Sequence, residues 1–292
     1  MRGFATLSVD VGGGTMRRSF VVAVAVTAGL AGVAAGQVDE PSGQDRAAPR
    51  VDLMGDRLVD LSHSFNRRTI YWPTAKRFRL TQVAHGETEG GWHYAANDFE
   101  AAEHGGTHLD APIHFARKGD TAEDVPLRKL VGRAVNVDVR APAAADRDHL
   151  VSVADLQAFE AAQGRIPRGT IVLLRTGWSR HWPDARRYLG TAERGARAVP
   201  KLHFPGLSED AARWLVTQRR VRAVGIDTAS IDRGQSVAFE AHRVLAEAQV
   251  PVFENLDGLE RLPAEGFHVI ALPMKIEGGT GGPLRAMAVV PR

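Results

Sequence analysis

The segment EHGGTHLDAPIHF, residues 103–115, constrains this chain more than any other feature. Between positions 104 and 114 it places His104, His108, Asp110 and His114, in a chain of 292 residues with only 11 histidines. The adjacent Gly105 and Gly106, with Pro112 further on, argue against a helix, since glycine is costly there and an internal proline deletes a hydrogen bond. An extended or turning stretch at a strand edge is expected instead. In an extended chain residues i and i+2 share a face, so His108, Asp110 and His114 point one way. The glycine pair lets the backbone bend and bring His104 round to join them. Imidazole nitrogen with carboxylate oxygen suits Zn²⁺ or Mn²⁺, one or two ions per chain, and offers too few oxygens for a Ca²⁺ cage. The chain has no cysteine, which excludes disulfides, thiolate ligands, iron–sulfur clusters and a Cys nucleophile.

Charge patterning narrows the partners. The net charge is +3, but 37 Lys and Arg are scattered among 34 acidic residues, with no basic run interleaved with aromatics. Nucleic-acid binding is therefore not expected, and a small-molecule substrate is. The N-terminus reads as an export signal over residues 1–36, with Met16 an alternative start. Arg17 and Arg18 form a basic region before the apolar run Phe20 to Val33, and small residues then lead to a cleavage site before Gln37. The run is too short and too rich in Ala and Gly for a confident membrane span, so a periplasmic or secreted protein without stable membrane association is expected. Residues 37–50 read as a polar linker.

Residues 51–292 read as one domain. Strands are expected at Val135 to Val139, Thr170 to Arg175, Val221 to Ile226, Val269 to Leu272 and Ala286 to Val290. Helices are expected from Ser152 (an N-cap with Asp155 three residues on) to Gln163, from Ser208, and from about Ser236 to Gln249. Strands and helices mix without strict alternation, giving an α/β fold with a mixed sheet and flanking helices.

At this point the residues resemble a known family. HGGTHLDAPIHF is similar to the signature of the cyclase-like metal-dependent hydrolases, which include bacterial kynurenine formamidase and isatin hydrolase. The resemblance continues in order through VDLSHSFNRRTIYWP (59–73), HFPGLSEDAARWL (203–215), GIDTASID (225–232), FEAHRVL with VPVFENL (239–256) and LPMKIEGGTGGPLRAMAVV (272–290). It implies a swivelling β/β/α fold, a homodimer, and metal ligation by His104, His108 and Asp110 with His242 and Glu254 from far downstream. His114 corresponds to the catalytic acid/base. The residues lend the remote pair some support of their own: His242 lies beside the apolar stripe of the third helix, and Glu254 follows an apolar run.

The chemistry implied is hydrolysis of a small amide, formamide or cyclic amide, with His114 carrying the proton because an imidazole pKa lies near the operating pH. A cyclase or dehydratase using the same site, or a periplasmic binding protein without catalysis, are the alternatives, and retention of His114 argues against the last. Tyr71 and Trp72 either cover the substrate or belong to the core. Asp227, Thr228 and Asp232 either orient ligands from behind or cap a turn. Gly278 to Pro283 either approaches the site closely or forms a plain loop. His63 reads as structural, while His85 and His93 fall in no pattern. Two segments beyond a compact formamidase, EGGWHYAAND (89–98) and RHWPDARRYLGTAERGARAV (180–199), read as a lid, an oligomer interface or, for the second, a solvated face.

Overall fold

The computed structural model describes residues 51–292. The export signal and linker expected over residues 1–50 lie outside the described residues. In chain order the strands are β1 (Arg57–Asp60), β2 (Arg79–Glu87), β3 (His93–Glu100), β4 (His108–Asp110), β5 (Val131–Asp138), β6 (Leu150–Val151), β7 (Ile171–Arg175), β8 (Gly206–Leu207), β9 (Ala223–Ile226), β10 (Val252–Glu254), β11 (Phe267–Pro273) and β12 (Gly281–Val290). The helices are α1 (Leu127–Leu130), α2 (Arg140–Ala145), α3 (Val153–Gln163), α4 (Ala185–Leu189), α5 (Glu209–Trp214) and α6 (Glu240–Glu247). Among the described residues no helix is long and apolar enough to cross a membrane.

The main sheet is mixed, as expected, and it closes on itself. Strands β5, β7, β9 and β10 run parallel, and β11, β12, β1 and β4 join antiparallel. Along one edge β12 changes partner: Gly281 to Pro283 pair with β4, while Met287 to Val290 pair with β1. The circuit β4–β12–β11–β5–β7–β9–β10–β4 is therefore continuous. The parallel strands are near-continuous apolar runs because both of their faces are covered. Ile171, Leu173, Phe253, Phe267 and Val269 fill one core together with Leu109. The alternate residues Val172, Leu174, Val224, Ile226 and Val252 pack with Leu156 of α3, Leu215 just beyond α5 and Leu245 of α6 in a second core.

The helices begin where their caps predict. Ser152 and Asp155 form a reciprocal capping box at the start of α3, and the Ser208 hydroxyl accepts from Ala211 N–H at the start of α5. The third helix is shorter than expected, Glu240–Glu247 rather than Ser236 to Gln249. Phe239 before it and Gln249 after it are left-handed, with φ of 50° and 59°, so neither can continue a right-handed helix.

Two features were not foreseen. Strands β2 and β3 pair only with each other, forming a hairpin nearly all of whose side chains are exposed. The expected lid or interface segment 89–98 is the tip and second strand of this hairpin. The Arg-rich segment 180–199 is more than a solvated face: α4 buries Tyr188 and Leu189, which pack with Trp178, Leu202, Phe204 and Ile70.

Candidate metal centre

Register explains the heart of the site. On β4, Leu109 enters the core with Phe253, leaving His108 and Asp110 on the opposite face. On the antiparallel neighbour β10, Glu254 lies directly opposite His108 and Val252 opposite Asp110. The expected strand edge is thus a strand held on both sides, by β10 and by the start of β12. His242 comes in from α6, whose buried face is Ala241, His242, Leu245 and Ala246.

Asp110 joins two triads of potential ligands, His104–His108–Asp110 and Asp110–His242–Glu254. Its Oδ1 is 2.6 Å from His104 Nδ1 and 3.1 Å from His108 Nε2, while its Oδ2 is 2.9 Å from His242 Nε2. Glu254 Oε1 lies 3.1 Å from His242 Nε2, and its Oε2 lies 3.5 Å from His108 Nε2. His108, Asp110, His242 and Glu254 are all buried. Such packing of two carboxylates against three imidazoles suits a divalent cation, because nitrogen and oxygen donors converge with two negative charges to neutralise.

The electrostatics agree. Burial alone would depress the pKa of His242, but hydrogen bonds to Asp110, Asp232 and Glu254 hold it well above the ordinary value. For His108, likewise, burial is outweighed by Asp110 and Glu254, and the net direction is upward. A field that favours a proton on these rings favours a cation between them. Glu254 is pushed up by burial and by Asp110, whereas burial of Asp110 is overridden by His104 and His108, which hold its carboxyl well below the usual range.

Outer partners orient the rings. His242 Nδ1 meets Asp232 Oδ2 at 2.6 Å, and the other Asp232 oxygen accepts from Ala241 N–H at the helix start. Asp232 therefore orients the His242 ring from behind, which is the geometry of one of the two readings of GIDTASID. Asp227 takes the other: its carboxylate accepts from Thr176, Gly177 and Trp178 N–H and caps the turn after β7. Thr228 also turns inward on its own loop, donating to Ser230 O. His108 Nδ1 donates to Gly106 O at 2.9 Å, an oxygen that also accepts from Asn255 Nδ2 at 2.8 Å. Asn255 in turn has its Oδ1 2.9 Å from the Tyr188 hydroxyl. Sequence reasoning missed Asn255 and Tyr188. The only local signal was an asparagine directly after Glu254, which here adopts a left-handed φ of 53°.

His114 sits apart from the triads. It lies on the turn Pro112–His114 rather than on the strand, and its ring stacks on His104 at 3.9 Å. Burial, only partly offset by Asp110 and deepened by the neighbouring histidines, pushes its pKa down to about 4. The value is thus well below the near-neutral one assumed from residue type, and the ring is neutral at neutral pH.

A cavity of about 300 Å³ opens onto these groups, walled by Ile70, Tyr71, Trp72, Phe115 and Phe239. Tyr71 and Trp72 thus do line the site. The Arg-rich segment braces this wall, since the Arg194 guanidinium donates to the carbonyls of Tyr71 and Trp72. His63 is not part of the wall; it is buried and stacked on Trp182 at 4.1 Å. His85 and His93 lie on the hairpin.

A buried nitrogen–oxygen donor cluster at the floor of an aromatic cavity, on this closed mixed sheet, is the centre of a metal-dependent hydrolase. The Cyclase family model matches residues 59–233, and the chain belongs to that family. It is 33% identical to isatin hydrolase of Roseibium aggregatum over 68% of this chain and 76% of that one. To kynurenine formamidase of Salinibacter ruber it is 30% identical over 79% and 96%. The solved structure of isatin hydrolase A from Ralstonia solanacearum superposes with a TM-score of 0.72 at 34% identity, covering 80% of this chain and 92% of that one.

Proposed function

We propose that the chain hydrolyses the C–N bond of a small aryl formamide or cyclic amide in the cavity above Asp110. The observation that carries this reading is the pairing of two ligand triads through Asp110 with a neutral, unligated imidazole, His114, stacked beside them. His104, His108, Asp110, His242 and Glu254 would hold Zn²⁺ or Mn²⁺, one or two ions per chain, with Asp110 belonging to both groups of donors. Such ions supply Lewis acidity, lowering the pKa of water toward neutrality and polarising a carbonyl oxygen.

His114 enters the reaction as a base, since its pKa of about 4 leaves it neutral. It takes a proton from the attacking water and then returns it to the departing nitrogen, which could not leave as an amide anion. The aromatic and apolar wall of Ile70, Tyr71, Trp72, Phe115 and Phe239 offers a surface against which a flat ring can pack. Similarity to isatin hydrolase and kynurenine formamidase supports both substrate types.

His114→Ala should bind metal at wild-type stoichiometry while losing turnover of isatin, N-formylkynurenine or a simple aryl amide. His108→Ala should lose both. Metal loss in the first variant, or full loading in the second, would overturn these roles.

The hairpin supports a homodimer. Leu80, Val83, Trp92, Tyr94 and Phe99 are all exposed on it, and an isolated two-stranded hairpin is marginal in water. Light scattering of wild type and Trp92→Asp tests this. Export rests on residues 1–36, and a mature terminus at Gln37 in a periplasmic fraction is the expected result.

A further inference from the structure

We propose that Glu103 and Thr280 form a relay that fixes His104 as the Nε2–H tautomer, so that His104 meets the metal through Nδ1 while His108 and His242 meet it through Nε2. The inference rests on the metal-site reading above and adds two positioning residues and a ligand atom to it.

The direction of each hydrogen bond follows from what the groups can donate. Glu103 Oε2 accepts from the backbone N–H of Thr280 at 3.1 Å, so that oxygen is acting as an acceptor. The Thr280 hydroxyl also reaches Glu103 Oε2 and has a single proton, which is donated there. Its remaining capacity is to accept. His104 Nε2 lies 2.8 Å from the same Thr280 oxygen and must therefore carry the proton. With Nε2 committed to Thr280, Nδ1 is the nitrogen left to meet a cation; it lies 2.6 Å from Asp110, a hydrogen-bond contact whose proton a bound cation would displace.

The other two rings are set the opposite way. His108 gives its Nδ1 proton to Gly106 O and His242 directs Nδ1 to Asp232, leaving Nε2 of each toward the carboxylates.

The relay stands on a rigid support. Ala111 N–H donates to Thr280 O at 2.9 Å and Ala122 N–H to Gly279 O at 2.8 Å, tying the glycine-rich turn to the strand that bears Asp110. A Cβ on Gly279 would come within 3.0 Å of Glu103 Oε1, so glycine there leaves room for the carboxylate. Groups that hold a ligating histidine from behind typically contribute ten- to a hundredfold in metal affinity.

The test uses the full chain stripped of metal and titrated with Zn²⁺. Thr280→Val and Glu103→Gln should each weaken zinc binding by about ten- to a hundredfold, and Thr280→Ser, which keeps the hydroxyl, should bind as wild type. In ¹⁵N spectra of the zinc-loaded wild type, one ring should show a protonated Nε2 with metal at Nδ1, and that signal should vanish in His104→Ala. Zinc held by three Nε2 atoms would overturn the relay, as would wild-type affinity in Thr280→Val or an affinity in Thr280→Ser as low as in Thr280→Val. If Thr280→Val does not fold, the serine variant and the wild-type spectrum decide. A wild type that binds no zinc would instead defeat the metal-site reading itself, a separate result.

Discussion

Gly281 and Gly282 are adjacent in sequence, yet substituting them with alanine should have opposite outcomes. A Cβ on Gly281 would stand 2.3 Å from Leu109 O and 2.6 Å from His104 Cε1. The first of these atoms is backbone of β4, between His108 and Asp110, and cannot rotate away. Restoring ordinary contact requires β4 and β12 to part by roughly 1 Å where Gly281 pairs with Asp110. Overpacking of this kind costs about 1–3 kcal/mol. Metal ligands tolerate only about 0.2 Å, so zinc affinity should fall at least about tenfold, or about 1.4 kcal/mol. A Cβ on Gly282 points to the other side of the strand, 3.4 Å from Ile276 Cδ1 and Met274 O, which is ordinary contact. Neither glycine has the left-handed φ that would add backbone strain. The assay is a denaturant melt of the metal-free protein together with a zinc titration, run on both variants. Equal damage from both, or a Gly281→Ala protein that matches wild type in melt and affinity, would refute the reasoning.

Asp232→Asn keeps the shape of the group that holds His242 Nδ1 but removes its charge. Zinc affinity should fall about ten- to a hundredfold, and the metal-free protein should also melt earlier, because the amide oxygen can still accept from Ala241 N–H but the amide NH₂ cannot accept from His242. Acid should destabilise the metal-free fold through His63 as well as His114. Burial, partly offset by Asp257 and Asp60, lowers His63 to about 4 from its ordinary 6.5. The unfolded chain then binds more protons than the folded one between those values, so stability is lost as pH falls from about 6.5 toward 4 and is complete above. His63→Phe, which keeps the stack on Trp182, should flatten part of that slope in melts at pH 4.5 and 7. An unchanged slope would show that His63 is not the group responsible.

How far the sequence reached can be followed residue by residue. The parallel strands were readable because two covered faces leave a continuous apolar run, and α3 because Ser152 and Asp155 write both halves of its cap. The hairpin was not, because β2 and β3 bury neither face and so carry no apolar alternation. Closure of the sheet was not either. It depends on β12 exchanging β4 for β1 between Pro283 and Met287, and nothing local marks that exchange.

Within the site, the three spacings around Asp110 turn out to have three different causes. The step of two from His108 to Asp110 is strand alternation, which the sequence shows directly. The step of four from His104 to His108 depends on Gly105 and Gly106 at φ of 158° and 58°, closed in by Tyr71 and Phe65, so it records packing partners as well as a bend. The step of four from Asp110 to His114 is a turn begun at Pro112, which carries the ring out of the strand and back over His104. Alternation alone would have put His114 at the same face farther along the strand, among the ligands. The turn instead sets it beside them with both ring nitrogens uncommitted to Asp110. Separation of the proposed proton carrier from the proposed ligands is therefore a property of Pro112 and its turn, and the identities of the four polar residues could not have revealed it.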